Sequence, residues 1–187
     1  MLKRRLLQFC ILATVTLMLT GSGVYVYYRD LAEKENIALV GEMPERSLVF
    51  DYHGEVIGRL HGANRIVVPL KGISPDFRDA LLAREDSRFY DHGGIDYVGV
   101  GRAIVRNFKD GEFTQGASTL TMQLARVSFD IREKTLRRKL LESMLAKRIE
   151  STYTKDDILS FYANRIYFGT GLYGVERASQ AYFGKHA

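Results

Sequence analysis

The hydrophobic residues form one long uninterrupted run near the N-terminus, followed by shorter periodic groups. Residues 6–28 carry no charged side chain and would form a helix roughly 34 Å long at about 1.5 Å per residue. A bilayer core is about 30 Å thick, so this segment is predicted to be a transmembrane anchor. Because Lys3, Arg4 and Arg5 precede it, the positive-inside rule predicts a cytoplasmic tail at residues 1–5 and an exported remainder.

A cleaved signal peptide is the alternative interpretation of the same segment. Residues 6–19 could be its apolar region, and the small residues at 21–23 could form a cleavage site. The apolar run continues past these glycines at 24–26, which favours a retained anchor.

After the predicted anchor, a polar stretch is followed by short apolar groups that predict β-strands. Residues 29–46 are charged and mostly polar, which indicates a juxtamembrane stalk or short helix. Apolar residues at 48–50 and 56–57 flank the turn-forming residues 51–54, a pattern that predicts a β-hairpin. The apolar residues 66–68 predict a further strand before Pro69.

Helical periodicity dominates the rest of the chain, so the predicted fold class is mainly α with a small N-terminal β element. The first helix begins at residues 74–76, with proline at the first helical position, and ends near Glu85. Further helices are predicted at 97–108, 118–127, 133–150 and 155–164, and the residues from 178 onward look like a helix end and turn. In the helix at 133–150, an apolar set is expected to point inward: Leu136, Leu140, Met144 and Ile149.

Composition limits the function classes. A chain of 187 residues with 46% hydrophobic residues suits one domain plus an anchor. Its only cysteine, Cys10, lies in the anchor, so the exported part has no disulfide, and no zinc cluster, nucleotide loop or serine triad signature is present. The net charge of +5 suits anionic head groups or diphosphates, although an ordinary solvated basic surface is an equal alternative. Nucleic acid is a poor candidate partner for an exported protein.

Candidate chemistry begins at the end of the first soluble helix. Glu85 and Asp86 lie beside Arg88 and His92, just before two glycines. A glutamate held near such a loop could take a proton from a hydroxyl group. A surface helix end with ion pairs, and a purely structural His92, are the alternatives.

Two further helices carry polar residues at helical spacing. Residues 116–119 are a helix start whose hydroxyl groups could cap and whose N–H groups could bind an anion, with Gln123 and Arg126 near one face. Arg138 and Glu142 lie one turn apart, either as a surface pair or as a carboxylate among cations that face a phosphate. Residues 155–174 are interpreted mostly as packing and turn residues.

These segments, in this order, resemble the peptidoglycan glycosyltransferase domain, glycosyltransferase family 51, of class A penicillin-binding proteins and monofunctional transglycosylases. The resemblance runs from about residue 47 to residue 185, and the hairpin at 50–58 looks more like the bifunctional members. It implies a domain at 47–187 that is truncated at its C-terminus, in an N-terminal fragment of a longer protein with a transpeptidase domain.

The resemblance also implies a lysozyme-like fold that polymerises lipid II with inversion at the anomeric carbon and release of undecaprenyl diphosphate. Glu85 would be the general base, and Glu142 a second catalytic glutamate. The implied substrate-binding residues are Asp86, Phe89, His92, Ser118, Thr119, Gln123, Arg126, Arg138 and Lys139. Departures from the family pattern are Ala117, Met122 and Arg126, and the arginine changes how an anion would be bound.

The implied cofactor is a divalent cation, Mg or Mn. The implied partners are lipid II, the nascent glycan strand, the membrane, and elongation or division proteins. The protein would be a single-pass protein of the inner membrane with its catalytic domain outside the cytoplasm. The alternatives are a lysozyme-like glycan-cleaving enzyme, which needs no cluster for a diphosphate, and an inactive anchored module, against which the presence of both Glu85 and Glu142 argues.

Overall fold

The computed structural model of the chain describes residues 2–44, 47–59, 63–110 and 116–187. Helices predominate, as the sequence predicted, and a two-stranded antiparallel sheet is formed by β1 and β2. The helices are α1 (Leu2–Glu33), α2 (Pro75–Glu85), α3 (Tyr97–Asp110), α4 (Leu120–Ser128), α5 (Leu136–Thr152), α6 (Lys155–Arg165) and α7 (Val175–Phe183). The strands are β1 (Leu48–Phe50) and β2 (Val56–Arg59), and short 3₁₀ turns lie at Ile37–Val40, Leu70–Gly72 and Phe89–Asp91.

Helix α1 contains the predicted anchor. An 18-residue window within Lys3–Glu33 has a mean hydropathy of 1.8, so this helix is long and apolar enough to cross a membrane. The helix continues past the apolar run, where Arg29 pairs with Glu33 at 3.3 Å and Lys34 with Asp30 at 3.1 Å. These pairs one turn apart favour the helical conformation of its charged end.

The core lies where α4, α5 and α6 pack against one another. Each helix begins at a threonine whose hydroxyl accepts a backbone N–H: Thr119, Thr135 and Thr154. The fully buried side chains at their contacts include Leu120, Leu124, Leu145, Ile149, Ile158 and Leu159. Burying each such side chain contributes about 1.5–3 kcal/mol, so these three helices form a firm frame for the site.

The prediction of a strand at residues 66–68 is wrong. The segment is extended, but its backbone partner is the side chain of Asn164: the Val68 N–H donates to Oδ1 at 3.0 Å, and Nδ2 donates to the Val68 carbonyl at 2.9 Å. Asn164 is fully buried on α6. One amide side chain therefore takes the place of a neighbouring strand.

The predicted inner face of α5 is also partly wrong. Leu136 is 77% exposed, whereas the fully buried positions of this helix are Glu142, Leu145, Ala146 and Ile149. These four follow the three-and-four spacing of one helical face, and Leu136 lies on a different side. A carboxylate therefore occupies a position that the apolar pattern alone would give to a hydrophobic residue.

The segment expected to be a stalk packs onto the helical body. Ala32 at the end of α1 and Val40 in the following 3₁₀ turn are fully buried, and both belong to the same core as α4, α5 and α6. Helix α1, which contains the candidate membrane span, therefore leads directly into the folded body.

Candidate active site

A cleft of about 360 Å³ lies between the end of α2, the beginning of α3 and the segment that leads into α4. Its wall is mostly polar, with carboxylates, hydroxyl groups and guanidinium groups. The polar side chains that line it are Arg84, Glu85, Asp86, Ser87, Asp96, Arg102, Ser118 and Thr119. The cleft therefore brings the beginning of the first predicted site segment beside the beginning of the second.

Glu85 is the last residue of α2, and its side chain is 31% exposed. The Gln123 amide Nε2 donates to Glu85 Oε2 at 3.1 Å, and the Tyr162 hydroxyl donates to Gln123 Oε1 at 3.0 Å. Burial, with the charge of Glu85 adding to it, raises the pKa of Tyr162 to about 12, so its hydroxyl keeps its proton. Tyr162 thus orients the Gln123 amide with its NH₂ group toward the carboxylate.

Asp86 has a different environment from Glu85. Its carboxylate is buried, accepts the Leu120 N–H at 2.9 Å, and has His92 Nε2 at 3.0 Å from both oxygens. A carboxylate is favoured there because the first N–H groups of α4 have no partner inside the helix and carry partial positive charge. Phe89 is buried beneath this loop, with the Lys155 ammonium 4.3 Å from its ring centre. Asp86, Phe89 and His92 therefore hold the loop after α2 against the core.

The beginning of α4 is occupied by groups of the protein itself. The Thr119 hydroxyl donates to the Gly94 carbonyl at 2.6 Å and accepts the Met122 N–H at 3.2 Å. Since Asp86 accepts the Leu120 N–H, these first N–H groups are not open to an anion. Ser118 instead accepts the Lys139 ammonium at 2.9 Å, which brings a cation to the cleft wall.

Glu142 lies inside the protein between two guanidinium groups. Arg126 donates to both of its oxygens, from Nε at 2.7 Å and from a terminal nitrogen at 3.2 Å, and Arg138 Nε lies 3.3 Å from Oε1. The hydrogen bond to Glu142 raises the pKa of Arg126 above its ordinary value. The Arg138–Glu142 pair is therefore not a surface pair, and the group joins α4 to α5.

Asp96 closes the other side of the cleft at the beginning of α3. It accepts the Gly99 N–H at 2.8 Å, and Arg88 Nε donates to it at 3.1 Å. Burial acts to raise the pKa of Asp96, but these hydrogen bonds and the charge of Arg88 outweigh it and hold the pKa below its ordinary value. Asp96 is therefore a charged cap that fixes α3 beside the cleft.

The structure unites some predicted residues and separates others. Glu85, Asp86, Ser118 and Thr119 line the cleft, and Gln123 and Lys139 contact that group. Three residues of the site were not predicted from the sequence: Tyr162, whose helical spacing indicated packing, and Asp96 and Arg102 in the cleft wall. The only sequence signal for Arg102 was a basic residue in an otherwise apolar helix start.

The described residues do not fit a divalent cation held by the protein. Across the described ranges, no three His, Cys, Asp or Glu side chains are grouped as metal ligands. The Glu142 oxygens contact guanidinium groups, and the Asp86 oxygens contact His92 and a backbone N–H. No chemical step is therefore assigned to a metal ion.

The fold is mainly helical, and its polar cleft holds one accessible glutamate that an amide side chain orients. Cations lie in the cleft wall and behind it. These features together define the class of protein. Comparisons with known proteins agree with this class. Residues 53–187 match the family model described as Transglycosylase. The chain belongs to the transglycosylase family.

Three relatives give the same result over most of the chain. Penicillin-binding protein 1A of Escherichia coli is 42% identical over 184 residues, 95% of this chain and 21% of the relative. Penicillin-binding protein 1A of Aquifex aeolicus is 44% identical over 143 residues, 76% of this chain and 20% of the relative. Penicillin-binding protein 1A of Haemophilus influenzae is 41% identical over 180 residues, 96% of this chain and 19% of the relative. The chain thus spans about a fifth of the length of these relatives.

Proposed function

We propose that this chain is a peptidoglycan glycosyltransferase that polymerises lipid II into glycan strands. The observation that carries the proposal is Glu85 at the cleft wall, with Oε2 fixed by the Gln123 amide and Oε1 lying 3.6 Å from Nε of the largely exposed Arg84. Such a carboxylate has the geometry to accept a proton from a hydroxyl group that enters the cleft. Membership of the transglycosylase family supports a glycosyl group as the one transferred.

In the proposed reaction, Glu85 removes the proton from the 4-hydroxyl group of the acceptor sugar. The hydroxyl oxygen then attacks the anomeric carbon of the donor and forms the new glycosidic bond, with inversion at that carbon. The bond from the anomeric carbon to the diphosphate oxygen breaks, and undecaprenyl diphosphate leaves with the electron pair. The proton remains on Glu85 until solvent removes it.

The cations at and behind the cleft wall suit an anionic leaving group. Negative charge grows on the diphosphate as its bond to the sugar breaks, and fixed cations stabilise that charge. Arg102 and Arg84 line the cleft, and Lys139 contacts Ser118 in its wall. Binding of the diphosphate by these cations, and by Arg126 and Arg138, is part of the proposal.

Glu142 has a positioning role in this proposal. It is fully buried and contacts Arg126 and Arg138, so it fixes the direction of both guanidinium groups. A direct catalytic role for Glu142 stays a prediction from the family resemblance, as do the divalent cation and the elongation or division partners.

The glycan-cleaving alternative has less support from the cleft. Glycosidases use two carboxyl groups on opposite sides of the bond that breaks. Of the carboxylates that line the described cleft, Asp86 accepts bonds from His92 and Leu120, and Asp96 accepts bonds from Arg88 and Gly99. Glu85 accepts one hydrogen bond, from Gln123, and its other oxygen faces only the largely exposed Arg84 at 3.6 Å among the contacts of the described residues, which suits a single base in glycosyl transfer.

The test is polymerisation of lipid II by the full chain in detergent, with glycan strands separated on gels. Replacing Glu85→Gln keeps the shape but removes the base, so we expect a fall in rate of about 10²- to 10⁴-fold. Asp79→Asn, on an exposed face of the same helix, is the matched control and should keep the rate. Full activity of Glu85→Gln would rule out the proposed base.

The same preparations distinguish the alternatives. Shortening of finished glycan strands without polymerisation would show the cleaving enzyme. A folded chain with neither activity would support the anchored module.

A further inference from the structure

Three side chains of the helical body hold the segment that follows the membrane helix. Arg148 of α5, Tyr153 at the end of α5 and Arg165 at the end of α6 all donate to backbone carbonyl groups between residues 32 and 42. We call these three residues the clamp. None of the three was predicted to have a function, and none lines the cleft.

Arg148 contacts the end of α1 itself. Its guanidinium donates to the Ala32 carbonyl and, at 3.1 Å, to the Glu35 carbonyl. The last carbonyl groups of a helix have no partner inside the helix and carry partial negative charge, so a cation there is favourable. Arg148 therefore binds the C-terminal end of α1.

Arg165 and Tyr153 extend the contact along the following turn. One terminal nitrogen of Arg165 donates to the carbonyl groups of Leu39, Val40 and Glu42 at 2.9, 3.0 and 2.7 Å. Burial, with repulsion from another arginine adding to it, lowers the pKa of Arg165 to about 10, so it stays charged at neutral pH. The Tyr153 hydroxyl lies 3.4 Å from the Ile37 carbonyl.

The clamp begins very close to the membrane. The uncharged run ends at Tyr28, and Ala32 follows four residues later, about 6 Å along a helix at about 1.5 Å per residue. Ala32 and Val40 are fully buried in the core, and the Lys147 ammonium lies 5.8 Å from the ring centre of Tyr25 in the last part of the run. No free spacer therefore separates the bilayer from the body.

We infer that Arg148, Tyr153 and Arg165 couple the membrane helix rigidly to the body and thereby hold the cleft at one height and tilt above the bilayer. The consequence for chemistry rests on the proposed function: a sugar linked to a membrane lipid by a diphosphate has its reacting carbon at a set distance from the surface. A cleft held at that distance from the bilayer keeps its base close to the reacting carbon. The clamp residues are positioning residues, since they do not contact the reacting atoms.

Distances between two spin labels test the coupling without any substrate. One label is attached to Cys10, the natural cysteine in the membrane helix, and the other to Lys71→Cys on the body, in the full chain in lipid vesicles. Cys10 lies 22 residues before Ala32, a lever of about 33 Å at about 1.5 Å per residue, so a small change of tilt moves it far.

The unchanged chain should give one narrow distance distribution, and the pair Arg148→Ala with Arg165→Ala a broad one. Arg148→Lys keeps a charged donor and should stay close to narrow, which guards against a result caused by misfolding. Arg132→Ala is the control, because Arg132 is exposed and pairs with Asp130 outside the clamp. A broad distribution in the unchanged chain, or a narrow one in the double variant, would overturn the inference.

Activity on two substrates tests the consequence. In vesicles, the double variant should lose about tenfold in kcat/KM on a long-chain lipid-linked substrate, because the reacting groups are misplaced. It should keep its kcat/KM on a short-chain, detergent-soluble analogue. Equal losses on both substrates would show a merely structural role and contradict the fixed height.

The two proposals fail separately. If the unchanged chain transfers no sugar from either substrate, the proposed function fails, while the label distances still decide the coupling.

Discussion

Gly94 lies where the loop after the first site segment touches the core. Its φ is +88°, and a Cβ atom there would lie 2.9 Å from both the carbonyl carbon and the carbonyl oxygen of Ala146 on α5. Its own carbonyl accepts the Thr119 hydroxyl. A side chain at this position would therefore strain the backbone and push the loop away from α4.

Gly94→Ala is expected to lower the free energy of unfolding by about 1–3 kcal/mol, since a left-handed backbone and a backbone clash both oppose the methyl group. Urea unfolding followed by circular dichroism would measure it. Gly93→Ala is the matched control, because a Cβ at residue 93 meets nothing within 4 Å. Equal stability of the two variants would contradict the packing described for Gly94.

The group of Glu142, Arg126 and Arg138 gives a second prediction for a single residue. Glu142→Gln keeps the volume but leaves two guanidinium groups facing each other without a counter-charge. We expect a loss of about 2–3 kcal/mol in the free energy of unfolding, below the value for a fully buried pair because Arg126 is partly exposed. The same unfolding measurement applies, with Glu133→Gln at an exposed position as control. An unchanged stability would mean that the charges are solvated.

The sequence could predict the kinds of residue at the site but only part of what each does. Glu85 and Asp86 are neighbours with the same functional group, yet one faces the cleft and the other is bound by His92 and the start of α4. The difference arises partly because the backbone N–H of Leu120, which is 34 residues from Asp86 in the sequence, donates to Asp86. Tyr162 was interpreted as packing because its partner, Gln123, lies on another helix.

Helix α3 shows how one charged cap fixes an element beside the cleft. Asp96 accepts the Gly99 N–H and a bond from Arg88, and its pKa is held below the ordinary value in the folded chain. A lowered folded-state pKa means that the carboxylate stabilises the fold above its unfolded pKa of about 3.9, and that this stability is lost as the pH falls through the lower folded value.

As the pH falls below about 4, the free energy of unfolding of the unchanged chain should therefore decrease more steeply than that of Asp96→Asn. Urea unfolding at a series of pH values from 6 downward would measure the difference. Arg88→Gln retains the Gly99 bond, so it should remove only part of the dependence. Parallel curves for the unchanged chain and Asp96→Asn would refute the proposed cap.

At the scale of elements, local signals were sufficient for the helices but not for their faces. Ser74 and Pro75 mark the beginning of α2, and Thr154 begins α6 with a capping box formed with Asp157. The strand at 66–68 failed because its partner is the side chain of Asn164, and no periodic pattern records such a partner. The face of α5 was misjudged because the two cations that neutralise Glu142 come partly from another helix.

For the whole molecule, the orientation in the membrane is a prediction from Lys3, Arg4 and Arg5. Alkaline phosphatase fused after Ala187 should be active in a bacterial host, because it folds only outside the cytoplasm, whereas a fluorescent protein that folds only inside should stay dark. Replacing the three cations by asparagine should lower the phosphatase signal and raise fluorescence. The opposite pattern in the unchanged chain would reverse the proposed topology.

The close connection of anchor and body also decides how a water-soluble form could be made. Removing everything up to residue 44 would take Ala32 and Val40 out of the core and leave Arg148 and Arg165 without the carbonyl groups that they bind. Removing only the residues up to Tyr28 keeps every one of these contacts. A truncation for crystallisation or inhibitor screening should therefore begin at Arg29, where solubility is gained without opening the interior.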